Sequence, residues 1–289
     1  MSRRVRDPQS VLPGGLNRVA ICLITVFAMA PIALMMLISV TPDSEVAAGK
    51  LLPSRLAFGN YLHMWTTVPL FSGLTNSLLA ALSAAVIATA FAVGAAYCLT
   101  RFTFVGRRTY LASLVILQSL PGVMLLLPLF MVFASASTYL GITMVGTRAA
   151  LVITYLTFAL PLATWVMVTY LRKIPASLEE AGLVDGLTRF GALRRIVIPL
   201  SWPGMAVALV FSFLLGWNDV VFASVLTHPE SRTAAVMLQV FGQAAEGGAL
   251  PLYGQLMGAS VICSVPVVVL YLIFQRYLVS GLTSGGVKG

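Results

Sequence analysis

Residues 72–100 read SGLTNSLLAALSAAVIATAFAVGAAYCLT, without a single Asp, Glu, Lys or Arg. About 20 residues at about 1.5 Å each cross the hydrocarbon of a bilayer, so a run of this length and composition predicts a spanning helix. Charge-free runs also cover 19–40, 110–134 and 149–171. A fifth run, 202–226, is interrupted by one acid, Asp219, and a sixth covers 254–275. The expectation is an all-α membrane protein with six spanning helices, because barrel strands need only about 9–11 residues.

Composition points the same way. Of 289 residues 59% are apolar and 9% charged, with a mean hydropathy of +0.95. That leaves too little polar surface for a soluble globule, so membrane lipid is the main solvent. The first run follows Arg3, Arg4, Arg6 and Arg18 and contains Ala28-Met29-Ala30, a pattern that cleaved signal peptides share. Its apolar stretch continues to Val40, longer than a signal core, which favours an uncleaved anchor and a mature chain that starts at or near Met1.

With six spans and alternating loops, fourteen of the eighteen basic residues fall on one side: Arg3, Arg4, Arg6, Arg18, Arg101, Arg107, Arg108, Arg172, Lys173, Arg189, Arg194, Arg195, Arg276 and Lys288. Lys50, Arg55, Arg148 and Arg232 fall on the other. The positive-inside rule then places both termini in the cytoplasm. The chain divides into a cytoplasmic segment 1–18, a membrane domain 19–277 and a cytoplasmic tail 278–289. The net charge of +9 reads as attraction to anionic headgroups rather than to nucleic acid.

Catalytic signatures are missing from the sequence. Gly281 and Gly286 have the Gly-x4-Gly spacing of a phosphate loop, but Val287 stands where its Lys is needed, so no ATP site is expected in this chain. No Gly-x-Ser-x-Gly or His-Glu-x-x-His occurs. Cys22, Cys98 and Cys263 all fall inside spans and read as buried small apolar residues. His63 and His228 lie in different outer loops without ligand-spaced partners, so no metal site and no bound cofactor are expected. Pro121, Pro128, Pro161, Pro203 and Pro266 lie in or at the ends of spans, where kinks suit a moving gate and a static bundle equally.

The informative cytoplasmic stretch is 172–201, far longer than a simple connection. Ser177-Leu178-Glu179-Glu180 has the form of a capping box, predicting a helix from Leu178 with Ala181 and Gly182 as a slim face. Asp185-Gly186 should end it, and Thr188 can cap a second helix. Phe190, Leu193, Ile196 and Val197 would form an apolar stripe on that helix, which Pro199 is expected to stop or kink. Two short helices with a charged rim suit a docking knob for another protein; a self-packing loop is the plainer alternative.

Glu180-Ala181-Gly182, Asp185-Gly186 and Ile196-Val197-Ile198-Pro199 together resemble the EAA motif of bacterial ABC-importer permeases. Gly182 stands where a second Ala is usual, and Leu193 where Phe is common. The resemblance implies that Glu180, Ala181, Gly182, Asp185, Gly186, Ile196 and Pro199 form a coupling segment seated on an ATPase subunit. Glu180 has two open readings, a contact to an ATPase Arg or a local cap. Asn60-Tyr61, Asn76-Ser77 and Trp217-Asn218-Asp219 extend the resemblance along the chain. The ending 281–289, GLTSGGVKG, closely resembles the tail of carbohydrate permeases of the MalG type, implying that Gly286, Lys288 and Gly289 contact the nucleotide-binding subunits. Without the resemblance this tail reads as disordered.

The resemblance further implies a multi-pass protein of the bacterial inner membrane with the type I ABC importer fold. Its partners would be a second homologous permease, two ATPase subunits that hold ATP and Mg, and an extracytoplasmic sugar-binding protein; its cargo would be a di- or oligosaccharide. Asp219, the one acid in a span, should face the bundle interior or water. Trp217, Asn218 and Asp219 could line a sugar path, or serve a hydrogen-bond network between helices. An ion-coupled secondary transporter using Asp219 is the alternative function.

Overall fold

A computed structural model describes residues 14–50, 52–244 and 252–283. In chain order the helices are α1 (Gly14–Ser39), α2 (Asp43–Ala47), α3 (Gly59–Thr67), α4 (Leu70–Arg101), α5 (Arg107–Ser119), α6 (Leu126–Leu140), α7 (Arg148–Leu171), α8 (Ser177–Val184), α9 (Arg189–Ala192), α10 (Ile198–Trp217), α11 (Val221–Leu226), α12 (Ala234–Ala244) and α13 (Tyr253–Thr283). A 3-10 turn, Gly122–Leu125, leads into α6, and a π turn, Leu193–Val197, joins α9 to α10. Six of these stretches are long and apolar enough to cross a bilayer: Leu16–Ser39, Leu70–Arg101, Gly122–Leu140, Arg148–Leu171, Arg189–Trp217 and Tyr253–Leu278.

Two of the expected spans are corrected. The run 110–134 is not one helix, because Pro121 pushes Leu120 into the extended region (ψ 133°) and divides it into α5 and α6. The fifth span ends at Trp217, so Asp219 lies beyond it, and α11 is a separate short helix. Cys263 is buried as expected, but Cys22 and Cys98 lie on the outer surfaces of α1 and α4.

The chain forms two compact units. Of the described residues the first holds 14–50, 52–67, 241–244 and 252–262. Within it the Asn60 amide donates to the carbonyls of Ser39 and Thr41, both at 3.0 Å, satisfying acceptors that the end of α1 leaves open. Tyr61 shares a 2.8 Å hydrogen bond with Ser39. The start of α13 is held in the same unit, where the Gly254 amide donates to Asp43 (2.6 Å) and Thr67 donates to Gln255 (2.7 Å).

The second unit, 68–240 and 263–283 of the described residues, is built on α4, α7 and α10. Ala80, Ala84, Ala88, Ala92 and Ala96 recur every fourth residue of α4 and are fully buried. Lipid tails are as apolar as leucine, so helices in a bilayer associate through close van der Waals contact, which small side chains permit. Ala88, Ala92 and Ala96 meet Ala159, Ala163 and Met167 of α7 and Ala208 of α10, while Ala81 and Ala85 meet Phe213 and Trp217. On α10 two glycines take aromatic rings of α7: a Cβ at Gly204 would lie 2.5 Å from Cγ of Tyr170, and one at Gly216 would lie 2.7 Å from Cδ2 of Tyr155. Asn76 and Ser77 of α4 fix the approach to α12. The Asn76 amide donates to the carbonyls of Glu230 and Arg232, and Ser77 Oγ accepts from the Ala234 amide at 2.8 Å.

Candidate functional site

The segment 172–201 folds as two short helices whose order is as expected and whose details differ. No capping box forms. Ala176 is already helical (φ −65°, ψ −27°), and the carbonyls of Pro175 and Ala176 accept from the amides of Leu178, Glu179 and Glu180. Pro175, with φ preset for a first turn, starts the helix early, so Ser177 is inside it rather than at its cap. Glu180 is thereby left exposed, free of the local role that competed for it.

The end of α8 is a Schellman turn. Gly186 stands at φ +88°, its amide donates to Leu183, and the Leu187 amide donates to Gly182 at 2.9 Å. Thr188 then caps α9 by accepting from the Gly191 amide at 3.1 Å. The slim face is divided: Ala181 is exposed, whereas Gly182 is buried beneath Ile196, whose Cδ1 would lie 2.6 Å from a Cβ there. Of the expected apolar stripe, Leu193, Ile196 and Val197 turn inward, but Phe190 is 72% exposed. Phe190 sits in the single turn of α9, before the π turn shifts the register, so it shares no face with the other three.

Pro199 does not stop the chain. The Ile198 amide reaches back five residues to Leu193, and this wider turn makes room for the proline ring one position on. Residues Arg189–Trp217 therefore run as one continuous helical rod from the short helices to the end of the fifth span.

The sequence pattern did not reveal what anchors this segment. Glu179, on the same buried face of α8 as Gly182, pairs with Arg101 at the end of α4. Arg101 Nη2 also donates to the Ile174 carbonyl (2.9 Å), and the Arg189 guanidinium lies 5.4 Å from the Phe102 ring. The i, i+3 spacing of Glu179 to Gly182 puts those two residues on one face of α8 but does not say that this face turns inward. The outward surface of α8 and α9 carries Leu178, Ala181, Val184 and Phe190, with Glu180 and Asp185 among them.

At the far end of the rod, Trp217 is buried and stacks on Phe213 with ring centres 5.3 Å apart. Asn218 is exposed. Asp219 Oδ1 accepts from the Phe222 amide (3.1 Å), and Oδ2 accepts from the Ala223 amide (2.9 Å) and the Tyr155 hydroxyl (3.1 Å). Burial raises the Asp219 carboxyl above its ordinary range, and the two amides work against that rise. Asp219 thus starts α11 and ties it to α7, which is the hydrogen-bond network considered for it. Asp219→Ala is expected to lose about 1–2 kcal/mol, the usual worth of a cap, read as a lower midpoint in thermal unfolding of the purified chain. An unchanged midpoint would mean that these bonds hold nothing.

Residues 88–284 match the family described as binding-protein-dependent transport system inner membrane component. This chain belongs to that family. The match takes in α8, the π turn and the whole rod. The trehalose transport system permease protein SugB of Mycobacterium tuberculosis is 34% identical over 268 residues, 92% of this chain and 95% of that protein. The maltose/maltodextrin transport system permease protein MalG of Vibrio parahaemolyticus is 34% identical over 76% of this chain and 73% of its own length. Among solved structures, a chain of a bacterial ABC transporter involved in alginate import superposes with a TM-score of 0.74 at 21% identity, covering 94% of this chain and 98% of that one. The fold is therefore that of ABC importer permeases, and the protein is a multi-pass component of the inner membrane. Gly286, Lys288 and Gly289, expected to contact partner subunits, lie outside the described residues.

Proposed function

We propose that this chain is one permease half of an ATP-driven importer of a di- or oligosaccharide, with both termini in the cytoplasm. The observation that carries the reading is the unbroken rod Arg189–Trp217, which joins the exposed surface of α8 and α9 to the Trp217-Asn218-Asp219 break. Sugar-transport relatives named for trehalose and for maltose support the cargo class.

In this mechanism a homologous permease completes the translocation path, and an extracytoplasmic binding protein delivers the sugar. Two ATPase subunits, holding ATP and Mg, perform the hydrolysis. Glu180 and Asp185 offer carboxylates to a basic ATPase cleft, with Ala181, Val184 and Phe190 filling its apolar floor. Closure of the ATPase dimer moves α8 and α9, and Gly182 packed on Ile196 passes that motion to the rod. Asn218 then faces the sugar, held in position by buried Trp217 and by Asp219, which is bonded to α11 and to Tyr155. Gly286, Lys288 and Gly289 add a second contact to the ATPases.

Purification of the tagged chain from its native membrane, followed by mass spectrometry, is the test: a second six-span permease and a P-loop ATPase should copurify. Recovery of the chain alone, with sugar uptake that survives ATP depletion and collapses with the proton gradient, would replace this reading with the ion-coupled alternative.

Gly186 supplies a separate prediction. An L side chain in the left-handed region costs about 1–2 kcal/mol, and a β-branched one more. Gly186→Val should leave the complex assembled yet lower sugar uptake by about tenfold, while Gly186→Asn, which tolerates that region, keeps most of it. Equal uptake by the Val variant and the parent would remove the coupling role of this turn.

A further inference from the structure

Arg107, Arg108 and Arg172, with Thr103, Phe104 and Thr109, line a half-open cavity of about 510 Å³ at the turn between α4 and α5. Three arginines reach it from two elements, Arg107 and Arg108 from the start of α5 and Arg172 from the end of α7. No acidic residue lines it, and the ion pair found among the described residues is Arg101 with Glu179. Arg107 is half-buried and Arg108 and Arg172 are exposed, and no carboxylate stands among them. Gathering like charges in this way is unfavourable unless an anion shares the site.

The rim says which anion. Gly106 at φ +92° turns the chain so that Val105 is fully exposed and Phe104 is half-exposed, directly beside the arginines. Both lie just past the last residue of one spanning helix. Apolar side chains next to cations at the end of a span match the boundary between acyl chains and headgroups, where Arg offers a planar fork to phosphate. A soluble anion would give no use to Phe104 and Val105. We propose that this cavity binds the phosphate of an anionic phospholipid headgroup, with Phe104 and Val105 resting among the acyl chains.

Occupancy bears on the segment next to it. Arg101 and Phe102, which precede the cavity, hold Glu179 of α8 and Arg189 of α9. A lipid that orders the turn therefore steadies the anchor of both short helices.

The test is made on the full-length chain in nanodiscs of mixed phosphatidylglycerol and phosphatidylcholine, with the lipid kept after detergent extraction measured by native mass spectrometry. Phosphatidylglycerol should be enriched about tenfold, and R107Q/R108Q/R172Q should bring the ratio close to one. R194Q/R195Q/R276Q removes equal charge elsewhere and should keep the enrichment. If the pocket variant is not monodisperse, Arg107→Gln alone serves, with an expected loss of about half the enrichment or more. Three results would overturn the site: no enrichment in the parent, equal loss in both triple variants, or displacement of the lipid by excess inorganic phosphate. Loss of the enrichment on assembly with ATPase subunits would assign the arginines to a protein contact instead.

Discussion

Glu179→Ala should destabilise the chain by about 3–5 kcal/mol and abolish recovery of the assembled transporter, because it leaves Arg101 buried and unpaired. Both side chains are close to nine-tenths buried, at 11% and 8% exposure, so water cannot stand in for the missing carboxylate. The loss is local in origin. Arg101 is the strap between α4 and the turn that opens α8, through Glu179 and the Ile174 carbonyl. The double variant Arg101→Met/Glu179→Leu removes both charges and keeps the volume, and buried pairs replaced in this way are often neutral or better. Assembly should therefore return in the double variant, while Glu180→Ala, at an exposed position, should leave folding within about 0.5 kcal/mol. Paired unfolding and copurification measurements on the three variants decide it. A Glu179→Ala protein as stable as the parent would show that the pair does not anchor α8.

Gly204→Leu is expected to cost about 3 kcal/mol or more, the upper end for overpacking, and to separate α10 from α7. The obstacle is placed so that it cannot swing away. A Cβ at 204 would meet Cγ and Cβ of Tyr170 at 2.5 and 2.9 Å, the stem of the side chain rather than its mobile end. Gly182 gives the contrast, since its nearest neighbour is Cδ1 of Ile196, which can rotate. Gly182→Ala should therefore cost about 1 kcal/mol at most, with the gain in helix propensity offsetting part of the crowding. Thermal unfolding in detergent, with cross-linking between cysteines introduced in α7 and α10, reads both effects. Retention of the cross-link in Gly204→Leu would mean that the helices do not depend on this close approach.

Much of the protein was legible without coordinates. Charge-free length alone determined that the chain crosses a membrane as helices, because a backbone in lipid must satisfy its hydrogen bonds internally and needs about 20 residues to span it. Local rules placed the turn at Asp185-Gly186 and the cap at Thr188, since both depend on a few neighbouring dihedrals. Those rules failed where a residue's effect depends on what surrounds it. Ser177-x-x-Glu180 had the spacing of a capping box, but Pro175 had already begun the helix. Pro199 had the chemistry of a helix stop, but a π turn absorbed it and converted a supposed break into a continuous rod.

Direction was the other quantity withheld. Periodicity states that residues share a face, but it does not say which face meets the protein. Glu179 therefore could not be told from Glu180 until α4 delivered Arg101 to one of them, and Asp219 looked like a charge in a span until the helix ended two residues before it. Composition and spacing decided the class of molecule, for those are properties of the chain itself. Tertiary packing decided which acid is anchor, which is cap and which stays exposed, because burial and pairing belong to the neighbours that distant segments supply.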